Sequence, residues 1–144
     1  MITVLMGAPG AGKSTWAMKN RTSEDYIYNI DAIRYVPGLD AGTYTDFHRK
    51  RAIWKVEQGQ SLIADATHTI KAHRDVWRHL ADRLGLQTRV VLFDTPLATL
   101  LEVQKHREFP VKRSVVVDHH RKLQLARHAI DREGWDSIEV ITWK

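Results

Sequence analysis

Short apolar runs alternate along the chain with longer segments in which apolar residues recur at helical spacing. The short runs predict strands at residues 2–6, 25–30, 61–65, 87–94 and 137–142. Apolar residues at helical spacing predict helices at residues 14–20, 45–58, 70–84, 96–106 and 114–130. Because strands alternate with helices, we expect an α/β fold in which a mainly parallel, roughly five-stranded sheet has helices on both faces.

Turn-forming residues set several boundaries in this pattern. Gly59 and Gly85 are typical of helix ends, and the proline and glycines at 37–42 predict an irregular loop that begins with a short helical turn. Residues 108–113 form a basic loop, and Ser114 is predicted to cap the last helix.

Length and composition narrow the class of protein. A chain of 144 residues with 43% hydrophobic and 27% charged residues predicts one compact domain over 1–144. The absence of cysteine excludes disulfides and thiolate metal sites, and the adjacent His119 and His120 do not predict a zinc site. No apolar run approaches the roughly 20 residues of a membrane helix, so we expect a soluble, cytoplasmic protein without a membrane partner. The net charge of +5 favours an anionic ligand.

The first strand is followed by a glycine-rich segment with the spacing of a Walker A loop. Four residues separate Gly7 from Gly12, which is followed by Lys13 and Ser14. Such glycines let backbone N–H groups reach phosphate oxygens at a helix N-terminus. The lysine would contact the β- and γ-phosphates of ATP, and the serine hydroxyl would bind Mg²⁺. The predicted ATP-binding residues here are Gly7, Ala8, Pro9, Gly10, Ala11, Gly12, Lys13, Ser14 and Thr15.

A Walker A loop is compatible with several activities. The chain has no Asn-Lys-x-Asp guanine motif, and it is too short for the relay elements and lid of a motor or an AAA-type ATPase. A kinase is therefore the leading hypothesis, in which Lys13 is catalytic. A non-catalytic ATP-binding interaction module is the alternative from another class.

Carboxylates after three predicted strands are candidates for the acceptor and metal sites. Asp31 follows the second strand and is predicted to be the general base, although it could also act as a helix N-cap. Arg34, one turn later, could bind an acceptor phosphate. Asp65 and Asp94 each end an apolar strand, and the residues alone do not decide which of them assists Mg²⁺.

Cations near these strand ends complete the candidate set. His68 and Arg74 follow Asp65 closely, so Arg74 is a candidate acceptor ligand and His68 is either a site residue or a solvated loop residue. Arg107 and Arg113 belong to a basic segment expected to form a small lid over ATP.

The motifs together resemble the kinase domain of phage polynucleotide 5′-hydroxyl kinase and its P-loop relatives, including the zeta-toxin group. The matches are the Walker A segment, Tyr-Asn-Ile-Asp at 28–31, Ile-Ala-Asp-Ala-Thr at 63–67 and Phe-Asp-Thr-Pro at 93–96. The resemblance implies a P-loop NTPase three-layer sandwich with ATP and Mg²⁺ as cofactors. It implies roles for Asp31 as base, for Arg34, Asp65 and Thr67 at the acceptor, and for catalytic Arg107 with Arg113 at the ATP phosphates.

Two further consequences follow from the resemblance. It favours Asp65 over Asp94 for a site role, and Ala66 departs from the threonine that contacts the acceptor in the family. The implied reaction transfers the γ-phosphate of ATP to a nucleic-acid hydroxyl, foremost a 5′-hydroxyl end of DNA or RNA. A hydroxymethylated pyrimidine in phage DNA and a small-molecule hydroxyl are the alternative acceptors.

Overall fold

A computed structural model describes residues 1–29 and 40–142 of the chain. The strands are β1 (Ile2–Met6), β2 (Asp25–Asn29), β3 (Ser61–Asp65), β4 (Thr88–Asp94) and β5 (Ser137–Thr142). The helices are α1 (Lys13–Asn20), α2 (Ala41–Glu57), α3 (Lys71–Leu84), α4 (Leu97–Gln104) and α5 (Arg113–Ala129), with a 3₁₀ turn at Ile130–Arg132. Within the described ranges, no helix is long and apolar enough to cross a membrane.

The strands form one sheet in the order β2-β3-β1-β4-β5, and every pairing is parallel. This confirms the predicted α/β P-loop NTPase fold. The ends of β1, β2 and β3 are brought together by register, because Leu5 and Asn29 both pair with Asp65. Loops that bind ligands follow the carboxyl ends of strands in such sheets, so polar residues after these three strands share one edge.

Alternation along the buried strands divides the core between the two faces of the sheet. Val4 and Leu92 face a cluster that includes Trp77 of α3 and Leu123 of α5. On the other face, neighbouring strand residues pack with Ala17, Leu100 and Val116 of α1, α4 and α5. Apolar side chains on both faces explain why the central strands are nearly continuous hydrophobic runs.

Two helices begin at caps that the sequence prediction did not identify. Helix α2 begins at Ala41, because the Asp40 side chain accepts a hydrogen bond from the Gly42 backbone at 3.1 Å and from Thr43 Oγ1 at 2.7 Å. The prediction that Ser114 caps the last helix is wrong: the cap position is Lys112, whose carbonyl accepts the first bonds of α5. Residues 30–39, which include part of the predicted loop, lie outside the described residues.

Candidate functional site: a phosphate-binding loop and an adjoining acceptor cavity

The loop between β1 and α1 has a backbone that only glycine adopts easily at two positions. Gly10 and Gly12 have φ angles of 92° and 95°, in the left-handed region where a side chain is strained. Gly7 is tightly packed, since a Cβ there would lie 3.1 Å from Cβ of Phe93 and would push that side chain aside. The Walker A spacing thus follows from the conformation that carries the loop from the sheet into the N-terminus of α1.

Lys13 is held inside this loop. Its side chain is buried, and Nζ donates to the carbonyl oxygens of Gly7 at 2.9 Å and Ala8 at 3.0 Å. A groove of about 230 Å³ runs along the loop and is lined by residues 9–15, Val103 and Arg107. A buried ammonium, loop N–H groups and a helix N-terminus in one groove form an arrangement suited to phosphate.

Asp65 lies at the start of α1, next to the loop. Its Oδ2 accepts hydrogen bonds from Ser14 Oγ at 2.7 Å and from Asn29 Nδ2 at 3.2 Å, and the residue is buried. A hydroxyl and a carboxylate in contact are oxygen donors of the kind that Mg²⁺ prefers, so these residues fit the ion. Within the described ranges there is no cluster of three or more His, Asp or Glu residues suited to hold a metal. This is compatible with Mg²⁺, which is bound through few protein ligands and substrate phosphates.

Asp94, the other strand-end candidate, has a different environment. Its Oδ2 accepts a hydrogen bond from Arg127 Nη1 at 2.6 Å, and Gln124 Nε2 lies 3.5 Å from Oδ1. The Asp94 carboxylate therefore fixes α5 against the end of β4. Of the two aspartates, Asp65 is the one that contacts Ser14.

The connection between α4 and α5 is tied to the phosphate loop by Gln104, which the sequence did not single out. Gln104 Nε2 donates to the Pro9 carbonyl at 2.9 Å, while its Oε1 accepts from the Val111 backbone at 3.0 Å. Arg107 follows and lines the phosphate groove, whereas Arg113 is an exposed residue at the first turn of α5. A glutamine at the end of a largely apolar helical segment is the only sequence signal for this link.

The segment after Asp65 is hydrogen-bonded to the phosphate loop, and it contains a buried histidine with a left-handed backbone conformation. The Gly7 N–H donates to the Thr67 carbonyl at 3.0 Å, and His68 follows with a φ of 50°. Because the Trp77 indole N–H donates to His68 Nε2 at 3.0 Å, the proton is on Nδ1, which donates to the Leu5 carbonyl at 2.7 Å. Burial lowers the pKa of His68 to about 4, so the ring is neutral. The prediction that His68 is a solvated loop residue is wrong.

Arg74 is not at the acceptor surface, and its predicted role there is corrected by its contacts. The side chain is 2% exposed, with Nε and Nη2 on the two Glu133 oxygens at 2.9 and 2.5 Å and Nη1 on the His68 carbonyl at 3.0 Å. Burial raises the pKa of Glu133, but hydrogen bonds from Arg74 and Trp135 outweigh it and hold that pKa below its usual value. The Arg74 guanidinium thus anchors the segment between β3 and α3 to Glu133. Because both groups are buried, loss of either one would leave the other without its partner.

A cavity of about 340 Å³ adjoins the other side of this segment, between α2, α3 and α5. Thr67, predicted at the acceptor, lines it, and so does Ala66. Asp31 and Arg34 lie outside the described residues. The sequence did not identify the cationic and aromatic side chains of its wall as one group, because they come from β2 and from three helices distant in the chain. These are Tyr28, Arg49, His73, Trp77, His119 and Lys122.

Solved structures with the same fold come from several systems. A chain of the Pnkp1/Rnl/Hen1 RNA repair complex matches with a TM-score of 0.73 and 21% identity, over 89% of this chain and 45% of that chain. The AvrRxo1-ORF1:ORF2 complex determined with ATP gives a TM-score of 0.65 and 18% identity, over 92% of this chain and 50% of that chain. The tunicamycin resistance protein of Deinococcus radiodurans gives 0.52 and 17%, over 93% and 95%.

The chain spans about half the length of the first two of these proteins. At these identities the likeness shows the fold, and it confirms the expected P-loop NTPase fold. No curated protein matches the sequence. A family model described as an AAA domain matches residues 2–130, which include the phosphate loop, Asp65 and the segment of Arg107, and the chain therefore belongs to this AAA domain family, AAA_33.

Proposed function

We propose that this protein transfers the γ-phosphate of ATP to a hydroxyl group of nucleic acid, foremost the 5′-hydroxyl end of DNA or RNA. The observation that carries the proposal is the contact of Ser14 with Asp65 beside the buried Lys13, between a phosphate groove and a cationic cavity. A donor site and an acceptor site on two sides of one strand end are what phosphoryl transfer requires.

ATP would occupy two connected spaces. A wider cavity of about 440 Å³ shares Ala11, Gly12 and Thr15 with the phosphate groove, and its lining is mainly apolar, with Trp16 and Ile141. We assign the nucleoside to this cavity and the triphosphate to the groove. Arg107 lines the groove, where its guanidinium would balance charge on the transferred phosphoryl group, and Arg113 is the second lid arginine of the proposal.

The acceptor hydroxyl would attack the γ-phosphorus in line with the bond to the β-phosphate oxygen. The new P–O bond forms as that bond breaks, ADP leaves, and Asp31 takes the hydroxyl proton. Mg²⁺, when bound near Ser14 and Asp65, would neutralise charge on the phosphate oxygens. Arg34 and Thr67 complete the acceptor site, and Arg74 is omitted because its guanidinium is buried against Glu133.

Three observations bear on the acceptor class. Among the described residues the cavity wall carries Arg49, His73 and Lys122 and no carboxylate, and the partners of Arg49 and Lys122, Asp46 at 3.1 Å and Asp118 at 2.8 Å, do not line the cavity. A phosphorylated acceptor would share these two cations, which favours it over a neutral one. The fold likeness to a protein of an RNA repair complex supports nucleic acid. The enclosed shape of the cavity favours the alternative, a small-molecule hydroxyl, and the non-catalytic module is the remaining hypothesis.

An acceptor panel with γ-labelled ATP and Mg²⁺ tests the proposal. We expect label on 5′-hydroxyl DNA or RNA and none on the same oligonucleotides with a 5′-phosphate. Label on 5′-blocked DNA that contains hydroxymethyluracil would move the acceptor to a modified base. Label on nucleosides or sugar nucleotides alone would contradict the nucleic-acid assignment, and ATP binding without transfer to any acceptor would favour the non-catalytic module.

The proposed base has its own test. The substitution Asp31→Asn keeps the size of the side chain and removes its charge, so kcat should fall by about 10²-fold or more while the KM for ATP stays the same. An unchanged kcat would leave Asp31 with a capping role only.

A further inference from the structure

The outer face of α2 carries large aromatic side chains that the core does not use. Phe47 is 59% exposed and Trp54 is 54% exposed. Lys50, with 74% of its side chain exposed, and Arg51 lie between them in the sequence. Two unburied rings on one helix are unusual for a soluble domain, where large apolar residues are mostly inside. We call these four residues the α2 platform.

The spacing of the α2 platform places its members on one stripe. Positions 50, 51 and 54 follow position 47 by three, four and seven residues, so all four residues project from the same side of the helix. The two rings are two helical turns apart, about 10 Å along the axis at 1.5 Å per residue. The cations lie in the turn between the rings.

The charge of the platform is positive. Lys50 pairs with Asp46 at 3.0 Å, while Arg51 makes no ion pair with any described residue. Lys55 adds a third cation, with Nζ 5.5 Å from the centre of the Trp54 ring. Rings interleaved with cations can stack on bases and contact phosphates at the same time.

The helix also connects this surface to the acceptor cavity. Thr45 and Arg49 line that cavity from the inner side of α2. Phe47 lies between them along the helix axis, on the outer side, and Trp54 follows two turns further on. A strand that leaves the cavity around α2 would therefore meet Phe47 first and Trp54 next.

We propose that the α2 platform binds single-stranded nucleic acid, by stacking bases on Phe47 and Trp54 and by phosphate contacts from Lys50 and Arg51. The proposal rests on the proposed function for the identity of the strand, which is the acceptor strand beyond its reacting end. A protein partner fits less well, because lysine is depleted at protein interfaces and charged residues are depleted at their centres.

Binding of a 3′-fluorescein oligothymidine that carries a 5′-phosphate, measured by fluorescence anisotropy without ATP, tests the platform directly. The 5′-phosphate removes the hydroxyl that would react. We expect Trp54→Ala and Phe47→Ala each to weaken binding by about fivefold to a hundredfold, the range reported for loss of one base–aromatic stack. Trp54→Phe should keep most of the affinity, because it keeps a ring. The control is Leu125→Ala, which removes an exposed aliphatic side chain from α5.

Salt dependence tests the phosphate contacts separately. Replacement of Arg51 with glutamine should reduce the slope of log K against log salt by about 0.7, the value for one phosphate contact on a single strand. Unchanged affinity in both ring variants would overturn the proposal and would favour a protein partner for the α2 face. Wild-type protein that binds no oligonucleotide at low salt, or that binds a blunt duplex as tightly as a single strand, would also overturn it.

Kinetics separate this inference from the proposed kinase activity. If both hold, Trp54→Ala raises the KM for a long 5′-hydroxyl oligonucleotide and leaves the KM for a dinucleotide unchanged. If the KM for the long oligonucleotide and the KM for the dinucleotide are each the same in wild type and Trp54→Ala, the result would overturn the platform and leave the proposed kinase activity intact. Ring-dependent binding without any transfer would support the platform and contradict the proposed function.

Discussion

Replacing His68 with asparagine should change how stability depends on pH. The ring is buried between β1 and α3, donates to the Leu5 carbonyl at 2.7 Å and accepts from Trp77 at 3.0 Å. Asparagine tolerates the φ of 50° at this position, which few other residues do. The variant therefore removes the titrating group with little backbone strain.

The expected magnitude follows from the shift in pKa. Burial, together with the smaller effect of the neighbouring charges of His73 and Lys13, lowers the pKa of His68 from 6.5 to about 4. Between these two values the unfolded chain binds a proton that the folded chain does not, so the stability is complete above pH 6.5 and falls as the pH falls towards 4. One proton changes the free energy of unfolding by about 1.4 kcal/mol per pH unit. Because the unfolded group is only half protonated at pH 6.5, the loss between pH 6.5 and 4.5 is about 2 kcal/mol.

Urea denaturation of wild type and His68→Asn at pH 7.5, 6.5, 5.5 and 4.5 measures this difference. Carboxylates that titrate in the same range are common to both proteins and cancel when the two profiles are subtracted. We expect the wild-type free energy of unfolding to fall more steeply than that of the variant below pH 6.5. Parallel profiles would refute the assignment of His68 as a buried neutral ring.

Three other predictions concern the site and its support. Asp65→Asn should reduce kinase activity at least tenfold and raise the Mg²⁺ concentration needed for half-maximal rate, whereas Asp94→Asn should alter thermal stability and leave that concentration unchanged; equal Mg²⁺ curves would contradict the metal role. Gln104→Ala should raise the KM for ATP, because it removes both links between the phosphate loop and the α4–α5 connection; an unchanged KM would show that the links do not order the groove. Arg74→Met should lower the free energy of unfolding by about 3–5 kcal/mol by leaving Glu133 buried and unpaired, and adding Glu133→Gln should restore part of it, as urea melts would show.

The centre of the sheet could be predicted from sequence because its central strands are buried on both faces. An apolar run bounded by polar or turn residues gives the limits of such a strand, and β1 and β3 have the predicted bounds. The Walker A loop could also be predicted from sequence, since its glycine positions follow from local backbone geometry. These features depend on neighbours in the chain, and a single sequence contains that information.

The remaining site features depend on contacts between distant residues. Arg74 pairs with Glu133 across 59 positions, so its spacing after Asp65 wrongly predicted an acceptor ligand. His68 has the sequence neighbourhood of a loop, but in the fold it is buried between β1 and Trp77 of α3. The exposure of Trp54 was not evident either, because an apolar residue in a helix usually faces the core.

Transfer of label from γ-labelled ATP to a 5′-hydroxyl oligonucleotide, with wild-type protein and the Lys13→Ala variant in parallel, tests the central claim most directly. Digestion of the product to single nucleotides then locates the label. The account predicts label on the 5′-terminal nucleotide with wild type and almost none with Lys13→Ala, although the variant has a wild-type circular dichroism spectrum and melting curve. Equal transfer by the two proteins would contradict the account.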